Sequence, residues 1–261
     1  MSDICFWSIG DGSYAPILQS LVYSFRQVGM QEDFHAISDR QINGATTHIA
    51  PSFSKGRHFH FKYGFLVEMM QQLDYRYFVY LDADNFFLRK PPNLLELIDG
   101  YPLVCFLESD CTSQFVKRQI WTHIRVKDYI SLMREIGIKD QKIYNVNGGF
   151  FIVKKESITD LYTSMVEFWN CAKSHGFFIS DEPALAYAMY KLTGVHDNLL
   201  LKNNFNIWAS DWNGQFNHCL PYQCEWPFID YMTGEKYIVN PAIIHGLHSK
   251  DALGTLGVTL L

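Results

Sequence analysis

A chain of 261 residues carries 22 Lys and Arg against 27 Asp and Glu, a formal charge of −5, which argues against a nucleic-acid binder that relies on a basic surface. Apolar residues make up 48% of it, aromatic residues 16%, and the mean hydropathy is −0.08, far from the low-hydrophobicity, high-charge composition of disordered chains. The cysteines Cys5, Cys105, Cys111, Cys171, Cys219 and Cys224 form no C-x-x-C pair, unlike a zinc knuckle or a disulfide framework, so free thiols in a reducing compartment are expected.

Met1–Trp7 lacks the basic and long apolar regions of a secretory leader, and nowhere do roughly 18 apolar residues run unbroken. The expectation is a soluble, cytoplasmic protein without a transmembrane segment. Ile4–Ile9 is a short apolar run ending in Gly10-Asp11-Gly12, and from Tyr14 to Val28 the residues Ile17, Leu18, Leu21, Val22 and Phe25 recur at helical spacing. That is strand, glycine turn, helix. Phe34–Ile37 reads as a second strand and the polar stretch Ser38–Gly56 as loop.

Phe61–Leu73 reads as a helix leading into the strand Tyr77–Leu81, Leu103–Leu107 and Phe150–Val153 as further buried strands, and Ser157–Ala172 and Pro183–Lys191 as helices. From Leu199 onward the chain is irregular and rich in Trp, Asn and Pro, and reads as loops packed over a sheet. Alternating strands and helices predict an α/β fold: one domain over residues 1–261, with a mostly parallel sheet and helices on both faces. Ligands of such sheets bind beyond the carboxyl ends of the strands, where Asp11 and the pair Asp82 and Asp84 fall.

Asp82-Ala83-Asp84-Asn85 is the sharpest local signal. Two carboxylates two positions apart past an apolar strand can converge on one hard cation such as Mg²⁺ or Mn²⁺, or simply make an Asp-rich turn. Asn147 with Gly148-Gly149 places a small amide and unobstructed backbone beside a strand, suited to close approach by a ligand or to a bulge. Asp181 and Glu182 precede Pro183, a pattern that also suits a helix cap and first turn. His58 and His60 are best read as flanking the start of a helix, and Phe205–Asn213, with Trp208 and Trp212, as a candidate wall for a sugar.

Taken in order, several blocks resemble the GT-A fold nucleotide-sugar glycosyltransferases, most closely the retaining family eight. They are Ile9-Gly10-Asp11-Gly12-Ser13-Tyr14-Ala15-Pro16, Tyr80-Leu81-Asp82-Ala83-Asp84, Tyr144-Asn145-Val146-Asn147-Gly148-Gly149-Phe150-Phe151-Ile152-Val153, Ser180-Asp181-Glu182-Pro183-Ala184-Leu185 and Ile243-Ile244-His245-Gly246-Leu247-His248-Ser249-Lys250. The sequence departs from the family pattern in Gly12-Ser13, in Glu182 where many members have Gln, and in a closing block one residue short that lacks the final Pro-Trp.

The resemblance implies a GT-A type, Rossmann-like mixed sheet, with a nucleotide-binding half over about residues 1–110 and a sugar- and acceptor-binding half over about residues 111–261. It implies a hexosyltransferase that moves a sugar from a nucleoside diphosphate donor, expected to be UDP-linked, to a saccharide or protein hydroxyl with retention. Asp11 and Tyr14 would then meet the nucleotide, and Asp82, Asp84 and His245 would hold Mn²⁺ or Mg²⁺. Lys62, Ala83, Asn147, Gly148 and Lys250 would contact the donor, while Asp181 and Glu182 would lie at the reacting sugar. His248 competes with His245 for the ligand position, and an inverting enzyme would use Asp181 or Glu182 as base. A nucleotidyltransferase, a nucleotide-sugar hydrolase and an inactive sugar-binding protein remain alternatives. The turn Asp11-Gly12-Ser13-Tyr14 holds no cation of the kind a nucleotidyl-transfer loop needs.

Overall fold

In the computed structural model, the structure describes residues 3–50, 58–98, 100–112, 119–120, 124–178, 181–193, 199–200, 206–210, 226–229 and 236–246. The elements in chain order are β1 (Ile4–Ile9), α1 (Ala15–Gln27), β2 (Asp33–Ser38), β3 (Thr46–Ile49), α2 (His58–Gln72), β4 (Tyr77–Leu81), β5 (Asn85–Phe87), α3 (Leu95–Ile98), β6 (Leu103–Asp110), β7 (Gln119–Ile120), β8 (Ile124–Arg125) and α4 (Val126–Glu135). They continue with β9 (Tyr144–Lys154), α5 (Ile158–Ser174), α6 (Asp181–Thr193), β10 (Leu199–Leu200), β11 (Trp208–Ser210), β12 (Trp226–Ile229), β13 (Lys236–Val239) and β14 (Ile243–His245).

Seven strands form the main sheet in the order β10-β6-β9-β4-β1-β2-β3. β4, β1, β2 and β3 run parallel, as do β10 and β6, and β9 lies antiparallel between β4 and β6. This is the mixed, mostly parallel sheet expected. Because alternate strand residues face opposite sides, Cys5, Trp7, Phe78, Tyr80, Phe151 and Val153 enter one core with α2, α4, α5 and α6. Ile4, Phe6, Val79, Leu81, Phe150 and Ile152 enter the other, with α1. Burial on both faces explains why these strands read as continuous apolar runs.

Three sequence expectations are corrected and one helix is added. Ser38–Gly56 is not all loop, since Thr46–Ile49 adds the parallel edge strand β3. The strand expected at Phe150–Val153 begins at Tyr144, so Gly148 and Gly149 lie inside β9. Helix α4 was not anticipated, although Tyr129, Leu132 and Met133 give it a buried face. The region after Leu199 is also not merely loop: β11 and β14 join β5 in a second sheet ordered β11-β14-β5.

That second sheet fixes the turn that follows β4. Helix α1 buries Ser24 and Phe25, and the Ser24 hydroxyl accepts the Phe87 N–H at 3.0 Å, fixing β5 directly after the Asp82–Asp84 turn. β14 pairs antiparallel with β5, which puts His245 opposite Asn85. The Phe25 ring meets Phe6, Phe34 and Phe87 at centroid distances of 4.8, 5.1 and 5.2 Å. Phe25→Ala should therefore cost about 3–5 kcal/mol in urea denaturation; a loss well under about 1 kcal/mol would show that α1 does not anchor this layer.

Candidate active site

The turn Asp82-Ala83-Asp84 closes β4. Asp82 donates its N–H to the Gly149 carbonyl at 3.0 Å, and Asn85 returns its own N–H to the Asp82 carbonyl at 3.1 Å. The Asn85 side-chain amide donates to the carbonyls of Asp82 and Gly149 at 2.8 and 3.0 Å, and its oxygen accepts the Trp208 indole N–H at 2.8 Å. The Asp-rich turn and the converging carboxylates are thus one feature. Ligand atoms of Asp82, Asp84 and His245 lie within 4.8 Å of one another, with the His245 Nε2 at 3.3 Å from Asp84 and 3.7 Å from Asp82.

His245 is fixed on three sides. Its Nδ1 meets the Ser210 hydroxyl at 3.1 Å, which leaves Nε2 for the carboxylates. The Trp208 ring stacks on it at 5.4 Å, and the Gly246 N–H donates to the Asp84 carbonyl at 3.2 Å. Beneath it lies Gly149, where a Cβ would sit 2.5 Å from His245 Cε1, so only glycine lets the imidazole rest on β9. Burial pulls the imidazole pKa down, but Asp84 and Asp82 outweigh this and raise it, with Lys62 opposing them. Two carboxylates and an imidazole in this cradle form a donor set that suits Mn²⁺ or Mg²⁺.

Lys62 and Asp181 complete the corner. The Lys62 ammonium, buried on α2, bridges Asp82 at 2.9 Å and Asp181 at 2.8 Å, and lies 4.2 Å from the Tyr80 ring centroid. Burial alone would lower its pKa; Asp181 and Asp82 instead carry it above its ordinary value. The hydroxyl of Tyr80 donates to Asp82, and that of Tyr63 to Asp181 at 3.4 Å.

Asp181 and Glu182 open α6 and are both buried. A Cβ on Gly148 would meet the Asp181 carboxylate at 3.1 Å and Glu182 Cγ at 3.2 Å, so the bare backbone at Gly148 makes room for these side chains. Gly148 donates its N–H to Glu182 Oε1 at 3.2 Å, while Oε2 has no hydrogen-bond partner among the described residues. Burial, then Glu108 and Asp181, raise the Glu182 pKa well above the carboxylate range. Asn147 Oδ1 accepts the Gly149 N–H at 2.7 Å, leaving its buried Nδ2 without a partner among the described residues.

Asp11, buried at the end of β1, accepts the Tyr14 N–H on its carbonyl at 2.8 Å, and the Gly12 N–H donates to Asp39 at 3.2 Å. A Cβ on Gly10 would lie 3.3 Å from the Ala83 Cβ, so this turn abuts the Asp82–Asp84 turn. Tyr14 is 40% exposed. Lys250 and His248 lie outside the described residues. His58 and His60 begin α2, and Trp208, one of the aromatics expected to wall a sugar site, is instead buried under His245.

Sequence inspection missed the supporting roles of Tyr80, Asn85, Glu108, Gly149, Trp208 and Ser210. Only Tyr80 and Asn85 are near the acidic pair in sequence; the others reach the corner through strand pairing.

No protein-family model matches the sequence, and no curated protein matches it. Among solved structures, the galactosyltransferase LgtC, in complex with donor and acceptor sugar analogues, is 13% identical over 98% of this chain and 95% of its own, with a TM-score of 0.58. The fold is that of the GT-A glycosyltransferases. The bifunctional glycosyltransferase WbbM in its apo form is 10% identical over 94% of this chain, with a TM-score of 0.59, and the match spans 45% of the WbbM chain. Among the described residues, no helix is long and apolar enough to cross a membrane.

Two outcomes are expected. Gly149→Ala should push the imidazole out of line and weaken Mn²⁺ binding about tenfold or more in an electron-paramagnetic-resonance titration, with circular dichroism unchanged; undiminished binding would separate His245 from the cation. Glu182 holds its proton more tightly folded than unfolded, where it titrates near about 4.3. Stability therefore falls as pH rises from there toward the raised folded value. Glu182→Gln removes this dependence, so the parent should lose melting temperature relative to the variant with rising pH. Parallel profiles would mean that the carboxyl ionises freely in the fold.

Proposed function

We propose that this chain is a metal-dependent glycosyltransferase that moves a hexose from a nucleoside diphosphate donor, UDP-linked, to a hydroxyl of a saccharide or glycoconjugate, with retention. The observation that carries this reading is the convergence of Asp82, Asp84 and His245 over Gly149, on the fold shared with LgtC and WbbM. Asp82, Asp84 and His245 would hold Mn²⁺ or Mg²⁺, which when bound neutralises charge developing on the leaving diphosphate. Tyr14 would stack on the base and Asp11 would accept from the nucleotide, with Ala83 alongside; Lys250 would add a cation at the diphosphate. Residues 1–110 would thus serve the nucleotide and residues 111–261 the sugar and acceptor.

Retention is favoured by the state of the acidic residues. Burial favours the protonated form of Glu182 and Asp181 is engaged by Lys62, so neither is placed as a ready base for the acceptor. In the proposed reaction the bond from the anomeric carbon to the diphosphate oxygen breaks and a bond to the acceptor oxygen forms. The acceptor proton passes to the departing diphosphate. Asp181, held by Lys62 and Tyr63, would orient the sugar hydroxyls, and Glu182 Oε2 and Asn147 Nδ2, which have no hydrogen-bond partner among the described residues, would offer hydrogen-bonding groups to the same ring.

The test is a panel of nucleotide sugars assayed for Mn²⁺-dependent UDP release with and without acceptors. Asp82→Asn and Asp84→Asn should each reduce turnover about 10³-fold or more, the scale of losing a key electrostatic stabiliser, without altering circular dichroism. Near-native turnover in either variant, or release that ignores the metal, would overturn the proposal. Release that needs no acceptor would favour a nucleotide-sugar hydrolase.

A further inference from the structure

Glu135 at the end of α4, Cys171 in the last turn of α5 and His175 just beyond it form a second convergent group. One ligand atom from each lies within 4.8 Å of the other two. Cys171 and His175 are one helical turn apart, a spacing that puts both on one face. His175 Nδ1 faces the Cys171 carbonyl at 3.0 Å and the Ser174 hydroxyl at 3.2 Å, which orients the ring so that Nε2 is the nitrogen turned toward Glu135. That Nε2 points at Glu135 Oε2, 3.0 Å away.

The group resembles a cation site more than a catalytic one. A cysteine nucleophile needs a thiol driven toward thiolate by a cationic neighbour; here burial, Glu135 and Glu167 all raise the Cys171 thiol. Tetrahedral bonds of about 2.0–2.3 Å to N, O and S separate ligand atoms by roughly 3.3–3.7 Å, so modest movement of these side chains would bring all three onto one ion. The carbonyl ends of α4 and α5 both favour a positive charge here. The two helices are held at fixed spacing beneath, where the Tyr129 and Phe168 rings lie 6.2 Å apart. A thiolate, an imidazole and one carboxylate select a borderline-soft ion over the hard cations that suit Asp82 and Asp84.

We propose that Glu135, Cys171 and His175 form a second metal site, which binds Zn²⁺ through three protein ligands with a fourth position open to water and clamps the ends of α4 and α5 together. It shares no residue with the Asp82, Asp84 and His245 cluster and is independent of the transferase reading.

The probe is Co²⁺, titrated into the metal-stripped full chain at neutral pH. The expected result is a thiolate-to-cobalt charge-transfer band that saturates at one equivalent, is bleached by Zn²⁺, and persists in Asp84→Asn. It should vanish in Cys171→Ser, whose fold is checked by circular dichroism. His175→Ala and Glu135→Gln should weaken it about tenfold or more. Zn²⁺ should also raise the melting temperature of the parent but not of Cys171→Ser. No band in the parent, a band that survives Cys171→Ser, or unchanged affinity in His175→Ala would each overturn the site and leave only a surface imidazole–carboxylate pair.

Discussion

Carboxylates gathered in a low-dielectric corner repel one another, and the arrangement at the end of β4 persists only because a buried cation stands among them. Lys62 lies between Asp82 and Asp181, with contacts of 2.9 and 2.8 Å, and its ammonium is almost fully withdrawn from water. Removing one partner of such a group leaves a buried charge uncompensated, which costs far more than an exposed pair contributes. At Glu182, burial first and then Glu108 and Asp181 push the carboxyl pKa up and favour its protonated form. Asp82, Asp84 and Asp181 against Lys62 still leave a local excess of negative charge, which favours a cation beside them.

Steric absence matters as much as charge. β9 presents consecutive glycines to two different intruders: the carboxylates of α6 close over Gly148, and the imidazole of β14 lies on Gly149. A single methyl at Gly149 would meet the ring at a distance no Cβ contact tolerates. The strand therefore serves as a floor, and the polar side chains are set by what packs around it: Trp208 and Ser210 behind His245, Tyr63 and Lys62 behind Asp181.

The proposed second site uses a different logic. Its ligands come from helix ends outside the sheet and include a sulfur, whereas the cluster at the turn has oxygen and nitrogen alone. Ligand softness separates the ions each would select. A chain with both could thus be stabilised by one metal and depend on another for chemistry.

Much of this was legible in the sequence for a simple reason. Strands buried on both faces must be apolar throughout, and helices that cover them must be amphipathic, so Ile4–Ile9, Tyr77–Leu81 and the helix starting near Tyr14 announced themselves locally. The acidic pair at Asp82 and Asp84 was visible because it follows such a strand directly. Local pattern failed where an element takes its identity from a partner. β3 is a polar edge strand defined by pairing with β2, and β11 and β14 are short segments that become a sheet only by meeting β5. The same holds for the site: the sequence singled out the candidate residues, but only strand register and helix packing decided that His245 faces Asp84, that Lys62 reaches across to Asp181, and that Glu182 is buried where its neutral form is favoured. Those are distances between residues remote along the chain, and spacing in sequence does not encode them.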